Sequence, residues 1–190
     1  MTPTWHDGPL SAVHGGGEPM VWRVPDDGPA ARHALASALV ARRADQDVAD
    51  VVLARSRAGA PRVASPPGWH LSLSQRGGWC LIGLATRPIA VDRELIDTDE
   101  PLWDMLSATE ADALRALARI DQPRAWLRRW TIKEAHAKLV GEPRRLAPEA
   151  IETRIVDPIQ AVATCEGRSR CWTRSIADAL ETVALWDEAA

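Results

Sequence analysis

The sequence lacks several features that define other classes of protein. It contains no tyrosine and no phenylalanine, so nine tryptophans supply all of its aromatic packing. No apolar run approaches the ~18 residues that a membrane-spanning helix needs, and no basic segment followed by an apolar stretch indicates a signal peptide at the N-terminus. The formal net charge of −3 is too small to indicate a nucleic-acid-binding protein. We therefore expect neither membrane association nor a nucleic-acid partner.

Cysteine is also scarce. The three cysteines are Cys80, Cys165 and Cys171, an odd number without CxxC spacing, which argues against a disulfide framework and against a zinc site. Cys80 and Cys171 each lie beside a tryptophan in an apolar run, a setting typical of buried thiols. We therefore expect a reduced, cytoplasmic setting.

Hydrophobic residues make up 46% of the 190 residues, which is enough for a real core. Hydrophobic periodicity predicts helices at about 30–44, 107–120 and 123–140. It predicts strands at about 20–24, 46–53, 69–74, 79–86, 89–95, 159–166, 171–176 and 181–186, with a loop at 55–67. This order of elements predicts an α+β fold.

Breaks between these elements predict three regions: a flexible leader at 1–19, an N-terminal half at 20–100 and a C-terminal half at 101–190. The leader contains the run Gly15-Gly16-Gly17, but the Gly-Lys-Ser/Thr of a phosphate-binding loop does not follow it. The acidic stretch 97–104 marks the predicted boundary between the halves.

Lys133 and Lys138 are the only two lysines among 23 basic residues, and both lie beside Glu134. Their helix is expected to begin near a proline and to end before Gly141. Glu134 and Lys138 are four residues apart, so they share one helix face with Trp130. The grouping indicates either a chemical site or an ordinary surface salt bridge. His136 is expected on another face, at the surface or between helices.

A second acidic pattern lies in the predicted strand at 89–95. Asp92 and Glu94 are two residues apart, so both side chains project from the same strand face, roughly 7 Å apart at Cα. Carboxylates this close raise each other's pKa unless a cation lies between them, and hard oxygen ligands suit Mg²⁺. The alternative is a solvent-facing acidic pair, which is common on edge strands.

Three motifs together resemble one protein family. WTIKEAHAK at 130–138 is similar to the W-x-x-K-E-A-x-x-K motif of 4′-phosphopantetheinyl transferases of the surfactin-synthetase-activating type. IAVDRE at 89–94 looks like the family strand G-[VI]-D-[IVL]-E, and LSLSQRGGW at 71–79 resembles its S-[LI]-S-H-S-x-G segment. The motifs occur in the family's order, and the likeness runs from about 21 to 186.

The resemblance implies two similar α/β halves packed as a pseudo-twofold unit, with coenzyme A in the cleft between them. It implies transfer of the phosphopantetheine arm of coenzyme A onto a serine of an acyl or peptidyl carrier protein, by a monomer, with release of adenosine 3′,5′-bisphosphate. Carried over by motif, Asp92, Glu94 and Glu134 are expected to hold Mg²⁺. Glu134 is expected to take the serine proton, and Lys138 to stabilise charge on the phosphate.

The residues expected to bind coenzyme A depart from the family pattern. Gln75 stands where the family has a histidine, and Arg76 stands where it has a serine, after Ser74. An arginine binds phosphate with two parallel hydrogen bonds, so Arg76 is a reasonable substitute. Arg32 is the candidate for the 3′-phosphate, and Lys133 is a candidate second phosphate contact.

Three functions therefore stay open: an active transferase, a protein of this fold recruited to other chemistry on coenzyme A or carrier-bound thioesters, and a non-catalytic carrier-binding protein. A carrier usually presents an acidic helix, so a basic surface is expected near the site. The candidates flank the lysine helix, and a solvated arginine face is the alternative: Arg124, Arg128, Arg129, Arg144 and Arg145.

Overall fold

The computed structural model describes residues 1–13, 18–96, 100–141 and 145–187. The chain divides into two compact units, Met1–Val91 and Asp92–Ala190. Both units combine strands with α-helices, which confirms the predicted α+β class. The pseudo-twofold relation between the halves stays a prediction.

Unit 1 is built on a four-stranded sheet in the order β1-β2-β6-β5. Its elements are β1 (Thr4–Asp7), β2 (Met20–Pro25), α1 (Pro29–Ala44), β3 (Val52–Arg55), β4 (Pro61–Ser65), β5 (His70–Arg76) and β6 (Trp79–Ala85). Strands β1 and β2 are parallel, and the other neighbours are antiparallel. Strand β1 lies within the predicted leader, whose glycine run at 15–17 falls outside the described residues.

The hairpin of β5 and β6 is confirmed, and its turn explains the two glycines. Gly77 and Gly78 have φ values of 58° and 74°, which fit the left-handed residues of a tight hairpin turn. The prediction of a loop at 55–67 is wrong, because β3 and β4 form a second hairpin there. Prolines at both ends of β4 hid its alternating pattern from the sequence analysis.

The core of unit 1 lies between α1 and the sheet. It is formed by buried side chains that include Trp22, Leu39 and Ile82, each fully enclosed. Cys80 belongs to this core, and burial raises the pKa of its thiol to about 12. Its predicted character as a buried thiol is therefore confirmed.

Unit 2 carries a five-stranded sheet in the order β7-β11-β10-β9-β8. Its elements are β7 (Ile89–Leu95), α2 (Ala108–Arg115), α3 (Gln122–Val140), β8 (Glu152–Ile155), β9 (Gln160–Thr164), β10 (Arg168–Ile176) and β11 (Ala179–Trp186). The unit boundary falls after Val91, inside β7. The predicted acidic boundary includes residues 97–99, which lie outside the described residues.

Helix α3 is confirmed at both of its ends. A proline lies in its first turn, and Gly141 closes it with φ 97° while its N–H donates to the carbonyls of Ala137 and Lys138. Its inner face packs on the sheet through small residues such as Ala135, and through a 2.9 Å hydrogen bond between the hydroxyls of Thr131 and Thr182. None of the helices in the described part of the chain combines the length and apolarity needed to cross a membrane.

Candidate functional site

Helix α3 and strand β7 bring two of the predicted residues into direct contact. Nζ of Lys138 lies 2.6 Å from Oδ1 of Asp92, whose side chain is buried. This ion pair joins residues 46 positions apart, so Lys138 is not confined to a local salt bridge within its own helix. The contact connects the last turns of α3 to the strand that carries the acidic pattern.

Glu134 completes this group, which we call the carboxylate–lysine cluster: Asp92, Glu134 and Lys138. Burial raises the pKa of Glu134, and the nearby charge of Asp92 raises it further, while Lys138 lowers it and only partly offsets the other two effects. Two carboxylates therefore share one ammonium in a partly buried setting. A carboxylate with a raised pKa is a better proton acceptor than an ordinary glutamate.

The donor set of the cluster fits a hard divalent cation. Mutual repulsion of Asp92 and Glu134 is the feature that a bound cation relieves, and Mg²⁺ is commonly held by one or two carboxylates together with substrate phosphates. Glu94 follows Asp92 on the same strand face and is partly exposed. Within the described residues, no three His, Cys, Asp or Glu side chains are arranged as a metal site. The structure therefore does not gather all three carboxylates into one.

Lys133 points away from the cluster, although it is adjacent to Glu134 in sequence. Its side chain is 2% exposed, and Nζ lies 2.6 Å from Oε2 of Glu110 on α2. The ammonium also donates to the carbonyls of Pro148, at 2.8 Å, and Ile151, at 2.5 Å. These three acceptors match the three donors of a lysine ammonium, which argues against the predicted phosphate contact.

The prediction for His136 is wrong, because this side chain is fully buried against the sheet. Nδ1 lies 2.7 Å from the Ser169 hydroxyl and Nε2 lies 2.8 Å from the Cys165 carbonyl. Since a carbonyl only accepts, Nε2 carries the proton and Nδ1 accepts from Ser169. Burial lowers the pKa of His136, so the ring is a neutral structural partner of α3.

In unit 1, two of the predicted coenzyme A residues line one cavity of about 410 Å³, Arg32 and Gln75. The first turns of α1 border it, together with residues of the β3–β4 hairpin and of β5. Gln75 is exposed, whereas the preceding Ser74 is buried and the following Arg76 is exposed. The structure therefore groups Arg32 with Gln75, but does not place Ser74 or Arg76 in the wall of this cavity.

Arg32 has an acidic partner that the sequence analysis missed. Its Nη1 donates to both carboxylate oxygens of Asp26, at 2.6 and 2.7 Å. The backbone N–H of Gly28 also donates to Asp26, at 3.1 Å. The hydrogen bond from Arg32 is the main reason that the pKa of Asp26 lies below its ordinary value. The sequence showed Asp26 only as part of a turn between β2 and α1.

Most of the basic residues expected beside the lysine helix make hydrogen bonds or ion pairs within the protein. Arg124 donates to the Ser175 hydroxyl, and Arg128 donates to the carbonyls of Asp157 and Gln160. Arg129 donates to Thr153, and Arg145 pairs with Glu166. Arg144 lies outside the described residues. A carrier-binding role for this set stays a prediction.

Comparison with known proteins assigns the class. A family model described as the 4′-phosphopantetheinyl transferase superfamily matches residues 88–185, just over half of the chain. The matched range contains β7, α3 and the whole carboxylate–lysine cluster. The chain therefore belongs to the 4′-phosphopantetheinyl transferase superfamily, and the resemblance drawn from its motifs is confirmed.

A similar protein is known from Bacillus subtilis under the name 4′-phosphopantetheinyl transferase. It is 24% identical over 120 residues, which cover 62% of this chain and 54% of that protein. The chain thus spans about half the length of this curated relative.

Proposed function

We propose that this chain transfers the 4′-phosphopantetheine arm of coenzyme A to a serine of an acyl or peptidyl carrier protein, with Mg²⁺ as its cofactor. The observation that supports the proposal best is the carboxylate–lysine cluster, which lies inside the range that matches the superfamily. The cluster combines a basic carboxylate, an acidic partner and one cation, which are the groups that phosphoryl transfer uses.

In the proposed reaction, the serine oxygen attacks the phosphorus that carries the pantetheine arm. The bond from this phosphorus to the bridging oxygen breaks, and adenosine 3′,5′-bisphosphate leaves with that oxygen. Glu134 takes the serine proton, since burial and Asp92 raise the pKa of its carboxyl group. Lys138 is held at 2.6 Å from Asp92, where its ammonium stabilises the negative charge that develops on the phosphate.

Asp92 and Glu134 are the proposed Mg²⁺ ligands, with Glu94 as a third carboxylate on the same strand face as Asp92. When bound, Mg²⁺ supplies positive charge that neutralises the pyrophosphate oxygens. The protein's own part is to hold two carboxylates close together in spite of their repulsion, which is the arrangement that Glu134 and Asp92 show.

The unit 1 cavity is the proposed site for the nucleotide part of coenzyme A. Its volume of about 410 Å³ falls in the range of ordinary ligand pockets, about 300–1,000 Å³. The first turn of α1 borders it, and the N–H groups at a helix N-terminus attract phosphate. Arg32 adds a positive charge there and Gln75 adds a neutral donor, whereas Ser74 and Arg76 lie outside the wall of this cavity.

A second function is favoured by one observation. Two residues of the cavity depart from a simple phosphate site. Gln75 carries no charge, and the charge of Arg32 is already paired with Asp26. A cavity altered in this way suits a protein of the same fold that carries out other chemistry on coenzyme A or carrier-bound thioesters. A non-catalytic carrier-binding protein is less well supported, because it has no use for the costly repulsion between Asp92 and Glu134.

One assay separates these functions. The protein is incubated with several apo carrier proteins, coenzyme A and Mg²⁺, and each carrier is weighed by mass spectrometry. We expect a gain of one phosphopantetheine, no gain in EDTA, and no gain for a carrier whose acceptor serine is changed to alanine. If no carrier gains mass while calorimetry still detects coenzyme A binding, the recruited function replaces the proposed one.

A further inference from the structure

Lys133 lies at the centre of a buried polar network that joins α3 to three other parts of unit 2. Glu110 is the third residue of α2, and its Oε2 accepts from Lys133 and from the N–H of Ser107, at 2.9 Å. Its Oε1 accepts from the N–H of Thr153 on β8, at 2.8 Å, and from the hydroxyl of the same residue. Both side chains of the Lys133–Glu110 pair are about 1–2% exposed.

The network leaves little freedom to the lysine. All three donors of its ammonium have acceptors, in Glu110, Pro148 and Ile151, and a fully satisfied buried network is rigid. Burial alone would raise the pKa of Glu110, but the hydrogen bonds from Lys133, Thr153 and Ser107 outweigh it and lower the pKa. The carboxylate is therefore charged at neutral pH and accepts from Lys133 at 2.6 Å, although burial lowers the pKa of the lysine.

A rigid anchor at Lys133 fixes the rotation of α3 about its own axis. Glu134 is the next residue, about 100° further around the helix, and its carboxylate lies about 6 Å from the axis. A rotation of about 10° would therefore displace that carboxylate by about 1 Å, and a 1 Å misplacement of a reacting group costs a rate of about 10²-fold. Thr131 and His136 hold the same helix to the sheet on either side of Glu134.

We propose that the buried Lys133–Glu110 pair is a positioning device, which holds α3 at the rotation that places Glu134 and Lys138 against Asp92. Lys133 then contributes to the reaction through its neighbours, without touching coenzyme A. A buried ion pair adds little net stability compared with apolar residues of similar size, so conformational specificity is the advantage that this pair offers. The inference rests on the proposed function, because that function gives Glu134 and Lys138 their roles in the reaction.

The test uses Lys133→Met, Glu110→Gln and the double variant in the carrier assay. We expect kcat to fall by about 10- to 100-fold in both single variants, with the KM for coenzyme A nearly unchanged. The double variant should be little worse than Glu110→Gln, because that change already breaks the pair with Lys133 and also the 3.7 Å pair with Arg129. A phosphate contact predicts instead that Lys133→Met raises the KM while Glu110→Gln does not, and that result overturns the proposal.

Two controls separate positioning from stability and from the proposed function. Val24→Ala changes the core of unit 1, whereas α3 belongs to unit 2. It should lower the melting temperature, and we expect its kcat to be unchanged. A loss of kcat equal to that of Lys133→Met, at the same stability, overturns the proposal. A crystal structure of Lys133→Met, or of Glu110→Gln if the first variant does not fold, should show the contact between Lys138 and Asp92 lengthened from 2.6 Å. An intact contact overturns the positioning role even if the wild-type protein transfers nothing.

Discussion

Each unit contains an ion pair at residues expected to bind substrate or metal, Asp26–Arg32 in unit 1 and Asp92–Lys138 in unit 2, and the two pairs differ in their balance of charge. In unit 1, Arg32 meets one carboxylate, and the pKa of Asp26 is lowered. In unit 2, Lys138 is shared by Asp92 and Glu134, and the pKa of Glu134 is raised. In the first pair the arginine stabilises the carboxylate, whereas in the second the repulsion between Asp92 and Glu134 persists, and a cation or a proton would relieve it. Only the second has the two neighbouring carboxylates that the proposed metal binding and proton transfer require.

The largest expected effect comes from Glu134→Gln. Loss of the proton acceptor should lower transfer by about 10³-fold, within the range of about 10²–10⁴ for general base catalysis. The fold should be retained, because the glutamine side chain has the same size as glutamate and does not repel Asp92. Carrier mass and thermal unfolding measure the two effects. The matched control is Glu149→Gln, an exposed glutamate of the same unit, which should leave both unchanged; near wild-type transfer by Glu134→Gln would refute the assigned role.

The next largest effect is expected from Lys138→Met. Removing the charge should lower transfer by about 10²-fold, and should also lower stability by about 1–3 kcal/mol, because buried Asp92 loses its cation. This estimate is below the value for a fully buried pair, since the lysine side chain is 27% exposed. Lys138→Arg keeps the charge and should recover part of both losses. Equal transfer by the Met and Arg variants would show that charge at this position is unimportant.

The repulsion between Asp92 and Glu134 also predicts how the free energy of unfolding depends on pH. The pKa of Glu134 is raised in the folded protein, so the folded state binds the proton more tightly than the unfolded state. In EDTA, this residue therefore adds stability as the pH falls from neutral through its raised pKa, and the gain is complete below the ordinary glutamate value of about 4.3. The difference between wild type and Glu134→Gln in urea unfolding isolates this contribution from the other carboxylates.

Bound Mg²⁺ should relieve the same repulsion that protonation of Glu134 relieves, so it should also stabilise the folded protein. At neutral pH and at 100 times its dissociation constant, a bound ion adds about 2.7 kcal/mol of stability. We expect this gain in the wild type and a much smaller gain in Glu134→Gln. If Mg²⁺ stabilises both proteins equally, Glu134 is not a ligand of the metal. Metal binding then does not explain the repulsion between Asp92 and Glu134.

In unit 1, Arg32→Gln tests whether an arginine that is already paired with Asp26 also binds coenzyme A. A charged hydrogen bond to phosphate contributes about 1.5–3 kcal/mol, so the KM for coenzyme A should rise by about 10- to 150-fold, with kcat nearly unchanged. Asp26→Asn is the matched change, because it leaves the arginine and frees its charge; its KM should stay equal or fall. If both variants change only the melting temperature, Arg32 is a structural partner of Asp26 alone.

The sequence allowed the elements that carry the candidate site to be predicted better than the burial of their side chains. Helix α3 and strand β7 were predicted because local periodicity and end signals define them, and their motifs carry the family. The burial of Lys133 and His136 was missed because each depends on a partner that is distant in sequence, Glu110 for the lysine and Ser169 for the histidine. Polar side chains are normally exposed, so nothing local marks them as buried.

Glu110, the partner of Lys133, shows the same limit of prediction from sequence. In the sequence it stands three residues after Ser107, which marks it only as the end of a capping box for α2, and that box is present. Its second role, as the partner of Lys133 and Thr153, needed the packing of α2 against α3 and β8. The missed strands β1, β4 and β8 were short segments whose pairing is likewise set by neighbours rather than by local pattern.

The smallest expected effect comes from Gln75→His, which restores the residue type of the family pattern. Gln75 is exposed at the cavity wall, where a single ion pair contributes about 0.2–1 kcal/mol. The KM for coenzyme A should therefore fall by about threefold at pH 6, where the imidazole is charged, and should hardly change at pH 8. Gln75→Asn, which stays neutral, is the control at both pH values. If the histidine has no effect at pH 6 while Arg32→Gln also leaves the KM unchanged, the unit 1 cavity does not hold the nucleotide. The carboxylate–lysine cluster would be untouched by that result, because its predictions depend only on residues of unit 2.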